Sequence, residues 1–126
     1  MAIERKKYID FLLKQKNKDI VKIITGIRRC GKSTLLFELF YEEIKKLGVP
    51  EDHIIKIALD NIRNDELLDA KNLYKEVENR IKDENCYYIF LDEIQLVENF
   101  EDVVNGIKRD FNCDVYITGS NSEFLS

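Results

Sequence analysis

Proline occurs once in 126 residues, tryptophan not at all, and glycine only five times. So few chain breakers exclude Pro-rich or Gly/Ser-rich linkers and low-complexity disorder. Cysteine offers no scaffold either. Cys30, Cys86 and Cys113 are odd in number and no C-x-x-C occurs, which argues against a disulfide framework and a zinc site alike. Three reduced thiols fit a cytosolic protein. No apolar run approaches the roughly 20 residues of a membrane span. The N-terminus is charged from Glu4 to Lys7, where a signal peptide would be apolar. The expected location is cytoplasmic, away from any membrane. Neither sign of charge dominates: 20 basic against 24 acidic residues leave a net charge of -4. That balance does not support general nucleic-acid binding. Residues 1–18 are a local exception, with Arg5, Lys6, Lys7, Lys14, Lys16 and Lys18 against Glu4 and Asp10. They read as a solvated helix face, or as a contact surface for a phosphate-bearing ligand or an acidic partner.

What is present is alternation. Residues 4–16 have helical spacing, with Tyr8, Ile9, Leu12 and Leu13 on one side. Ile20 to Ile24 is a short β-branched run, read as a buried strand. From Ser33 a helix places Leu36, Leu39, Phe40, Ile44 and Leu47 on its apolar side, and Gly48 and Pro50 end it. Ile54 to Leu59 is a second strand. A helix over about 65–82 follows, with Ala70, Leu73, Tyr74, Val77 and Ile81 inward. Cys86 to Leu91 is a continuous apolar run, as expected of a strand covered on both faces. A helix over about 98–110 and a strand from Val115 to Thr118 complete the series. Strands alternating with helices imply an α/β fold with a parallel sheet and helices on both faces. Ligands of such sheets bind beyond the carboxyl ends of the strands.

One of those ends carries a specific motif. Gly26-Ile27-Arg28-Arg29-Cys30-Gly31-Lys32-Ser33 fits the phosphate-binding loop G-x-x-x-x-G-K-[ST], between a strand and a helix as the motif requires. From average composition the pattern arises by chance in roughly 0.5% of chains this long. Its glycines let successive backbone amides point inward at an anion. The N-terminus of the following helix, from Ser33 and Thr34, adds its dipole. Lys32 reaches the β- and γ-phosphates and Ser33 offers a hydroxyl to Mg²⁺. Arg28 and Arg29 fill variable positions and face either the phosphates or solvent and a partner.

A second strand end carries two carboxylates. Asp92 follows the apolar run in the position of a Walker-B acid that helps hold Mg²⁺, which leaves Glu93 to orient or deprotonate an attacking water. A whole strand-helix unit separates the loop's helix from Asp92. Together with Glu93 this resembles the P-loop ATPase branch with an added strand and a catalytic glutamate. Small GTPases and nucleotide kinases usually lack that glutamate, and no N-K-x-D motif follows the loop, so ATP is favoured over GTP. The end of the last strand offers Thr118, Ser120 and Asn121 as sensors of the γ-phosphate, with Ser120 favoured as the catalytic member. Gln95 either positions water, couples the site to a partner, or simply starts a helix.

Four segments point the same way: Arg5-x-x-Tyr8, Thr25 to Thr34, Leu91-Asp-Glu-Ile-Gln95, and Ile117-Thr-Gly-Ser-Asn-Ser122. Together they resemble the prokaryotic AAA-like ATPases, whose N-terminal ATPase domain precedes a C-terminal domain of poorly known function. The resemblance covers the whole chain. It implies a three-layer α/β/α P-loop core, ATP and Mg²⁺ as ligands, and Lys32, Ser33, Asp92 and Glu93 in the usual roles. It also implies that Arg5 and Tyr8 lie near the nucleotide base or the sheet edge. Members of this family continue into a fifth strand and an arginine-bearing segment, so residues 1–126 read as a single domain truncated after its fourth strand. Its order 5-1-4-3-2 would then leave the edge of the first strand bare, a surface for a protein partner or self-association. The expected function is Mg²⁺-dependent ATP hydrolysis driving a conformational switch. The alternative is a module that binds nucleotide without turning it over alone.

Overall fold

The structure, a computed structural model, describes residues 2–17, 20–24 and 35–119. Helix α1 (Ala2–Gln15) leads to strand β1 (Lys22–Ile24). A π-helical turn, Leu35–Phe40, runs into α2 (Tyr41–Lys46), followed by β2 (Ile54–Ala58). A 3₁₀ segment, Ile62–Leu68, precedes α3 (Ala70–Arg80), and β3 (Tyr87–Asp92), α4 (Phe100–Asp110) and β4 (Cys113–Thr118) follow. Among the described residues the strands form one parallel sheet in the order β1-β4-β3-β2. This is the α/β core that the alternation implied.

Side chains alternate across a strand, so each strand supplies both faces of the sheet. One face presents Ile55, Ile57, Tyr87, Ile89, Leu91, Val115 and Ile117 to Leu73 and Val77 of α3 and to Val103, Val104 and Ile107 of α4. The other presents Ile24, Ile54, Tyr88, Phe90 and Tyr116 to Ile9 and Leu12 of α1 and to Leu35, Leu36, Phe40 and Ile44. On this second face Phe40 packs on Tyr116 and Phe90, with ring centroids 4.8 and 5.7 Å away. The result is three layers.

Several boundaries differ from the sequence expectation, each for a local reason. The π-helical turn is wider than an α-turn and rotates the side chains that follow it. Leu36, Phe40 and Ile44 are buried as expected, and Leu35 with them, while Leu39 and Leu47, expected inward, are exposed. Gly48 does end α2, at φ 97°, with its amide bonded to the Lys45 carbonyl at 2.9 Å. The helix expected from residue 65 starts at Ala70. Asp69 caps it by accepting from the Lys71 and Asn72 amides at 2.9 and 3.1 Å. Cys86 packs with the α1 side of the sheet and Cys113 with the α4 side, so the sheet separates them. Burial pushes the Cys86 thiol up and the Cys113 thiol up to about 12, away from the thiolate form.

The two edges of the sheet differ. On β2, the Lys56 ammonium lies 3.8 Å from the Tyr41 ring centroid, a charge that discourages edge pairing. On β1, Ile23 is half exposed.

Candidate functional site

The parallel register brings three strand ends together. Ile24 pairs with Thr118, and Leu91 with Ile117, so β1, β4 and β3 finish side by side. Strand β1 ends there at Ile24. Phe90 and Tyr116 face the α1 side, and two residues further on Asp92 and Thr118 point the same way.

Asp92 is 2% exposed and Thr118 fully buried. A buried carboxylate and a buried hydroxyl each need partners, and they find them in one another. The Thr118 hydroxyl donates to Asp92 Oδ1 and accepts from the Glu93 backbone amide at 2.9 Å. A hydroxyl carries one proton and two lone pairs, so it can do both at once. Asp92 is held from its other side as well, since its carbonyl accepts the Leu59 amide at 3.0 Å.

Glu93 leaves the strand in a left-handed conformation, φ 58° and ψ 50°. Non-glycine residues seldom adopt it, and such strain gathers at functional positions. The turn carries the chain out of β3 into the 3₁₀ segment Ile94–Leu96. There Glu93 Oε1 accepts from Gln95 Nε2 at 2.8 Å. Two carboxylates adjacent in sequence are thus fixed independently, one by Thr118 and one by Gln95.

Of the residues expected at the site, the structure places Asp92, Glu93 and Thr118 together. Gly26, Ile27, Arg28, Arg29, Cys30, Gly31, Lys32, Ser33, Thr34, Ser120 and Asn121 lie outside the described residues, as do the side chains of Arg5 and Tyr8. The bridging role of Thr118 was not visible in sequence, which favoured Ser120. It depends on the strand register, and sequence does not carry register. Among the described residues no group of three or more His, Cys, Asp or Glu could hold a metal. The donors at this corner are oxygens, a set that suits a hard cation taking most of its ligands from a substrate. Among the described residues no helix is long and apolar enough to cross a membrane.

The comparisons agree with this architecture. An AAA domain model matches residues 18–126. An uncharacterized protein of Haemophilus influenzae is 31% identical over 125 residues, covering 98% of this chain and 31% of its own. Two uncharacterized proteins of Methanocaldococcus jannaschii also match. MJ1544 is 33% identical over 84% of this chain and 22% of its own length, and MJ1637 is 25% identical over 93% and 24%. The chain spans less than a third of the length of these curated relatives. No solved structure matches. A four-stranded parallel sheet with helices on both faces, acidic residues at its carboxyl edge and a family match over residues 18–126 mark an ATPase-like nucleotide-binding module, and the chain belongs to the AAA domain family.

Proposed function

We propose that residues 1–126 act as one ATP-binding domain that, with Mg²⁺, hydrolyses ATP and thereby drives a conformational switch. The observation that carries this reading is the Thr118 hydroxyl, which joins Asp92 to the Glu93 amide at the strand end beside Ile24. In this reading the amides of residues 26–34 cradle the phosphates and Lys32 neutralises their outer charge. Ser33 and Asp92 would hold Mg²⁺, which when bound neutralises charge on the phosphate oxygens. Glu93 takes the proton from the attacking water, and Thr118 keeps its backbone in place. Ser120 or Asn121, just past β4, contacts the γ-phosphate.

The test is equilibrium binding of ATP, ADP and GTP, followed by phosphate release. We expect ATP to bind more tightly than GTP. Glu93→Gln should retain ATP affinity and lower turnover by about 10²–10⁴-fold, the usual contribution of a general base. Unchanged turnover in that variant would remove Glu93 from catalysis.

A further inference from the structure

Gln95 combines two features that do not fit an ordinary helix-start residue. Its Nε2 donates to Glu93 Oε1 at 2.8 Å. Its own Oε1 is shielded from solvent and, among the described residues, has no hydrogen-bond partner. The two facts share one cause. A carboxylate only accepts, so the amide must turn its NH₂ toward Glu93, and the carbonyl oxygen is then driven to the opposite, shielded side. Buried acceptors without donors are rare in folded proteins. A glutamine serving stability alone would take an orientation or rotamer that satisfies its oxygen. Here the backbone turn at Glu93 and the pairing with its carboxylate hold the amide in the unfavourable state.

We propose that Gln95 is a positioning residue for Glu93. It fixes the carboxylate through Oε1 and leaves Oε2, which makes no hydrogen bond among the described residues, as the atom that faces the reacting water. The proposal rests on the assignment of Glu93 as the base. It adds that the orientation of that base is set two residues away, at a cost to the fold. Thr118 fixes the Glu93 backbone and Gln95 fixes its side chain, so the base is constrained at both ends.

The test compares Gln95→Met, close in shape but without an amide, with Glu93→Gln and the wild type. Gln95→Met should melt at the same temperature as wild type or higher, because the orphaned oxygen is gone. Its ATP affinity should stay within about twofold, while kcat falls about tenfold or more, a share of the general-base contribution. A parallel measurement needs no turnover. The side-chain amide of Gln95 should show ¹⁵N relaxation typical of an ordered group, and in Glu93→Ala it should relax like a surface glutamine. A mobile Gln95 amide in the wild type would overturn the proposal, as would a Gln95→Met variant that loses stability in step with activity. Full turnover in Gln95→Met alongside a dead Glu93→Gln would overturn it while leaving Glu93 as the base. Full turnover in Glu93→Gln would instead remove the reading of Glu93 beneath it.

Discussion

Thr118 serves two partners with one hydroxyl, and its replacement should show in stability as well as function. Thr118→Val keeps the shape but leaves the Glu93 amide unpaired and takes one hydrogen bond from Asp92. We expect a loss of about 1–3 kcal/mol in urea unfolding, with Thr118→Ser retaining most of the stability. Asp92 and Glu93 were legible in the sequence because two acids end a run of apolar residues. Thr118 and Gln95 were legible only as candidates, since their roles depend on register and on a left-handed turn. His53, the single histidine, offers a different test. It bonds Asp52 at 2.8 Å and Asp83 at 2.9 Å and stacks on Tyr87 with centroids 4.4 Å apart. The Asp52 carboxylate, with help from Asp83 and against some desolvation, raises its pKa above the usual 6.5. A raised folded-state pKa means the protonated ring favours the fold. That contribution is complete below the unfolded pKa and is lost as pH rises through the folded one. The urea midpoint should therefore fall from about pH 6 to about pH 8 in the wild type, and this component should vanish in His53→Gln.

Among the elements, the helix termini departed most from the sequence expectation. Periodicity locates a helix but not the residue that starts it, and the apolar spacing of residues 65–82 runs across a 3₁₀ segment without a break. Asp69 resolves the matter by capping α3, so Asp69→Ala should cost about 1 kcal/mol in thermal or urea unfolding. Helix α1 was legible from Ile9 and Leu12, yet its attachment was not. Asn17, at φ 65°, turns the chain after α1 and gives its amide to Asp114 Oδ2 at 2.7 Å. The same carboxylate accepts from the Tyr116 hydroxyl at 2.8 Å and pairs with Lys22, both partners of this ion pair being buried. Burial, reinforced by Asp114, raises the Tyr116 pKa, so its hydroxyl stays protonated as a donor. Asp114→Ala removes the acceptor from three donors at once and should cost about 3–5 kcal/mol, as breaking buried ion pairs does. A smaller loss would mean that α1 is held mainly by its apolar contacts.

At the level of the molecule, alternation of strand and helix was sufficient to place the sheet and its two helical layers. Apolar runs covered on both faces have few other ways to be buried. What alternation does not encode is the order β1-β4-β3-β2, which came from the resemblance and sets which strand ends become neighbours. That order puts β4, which ends in Thr118, between β1 and the strand that ends in Asp92. The chain spans less than a third of the length of its curated relatives. Nucleotide binding belongs here, and it can be measured directly. Calorimetric titration of ATP with Mg²⁺ should give saturable binding to the wild type and at least about tenfold weaker binding to Lys32→Ala, as loss of a charge-assisted contact worth roughly 1.5–3 kcal/mol requires. Equal affinity in the two proteins would contradict a phosphate-binding loop at residues 26–33.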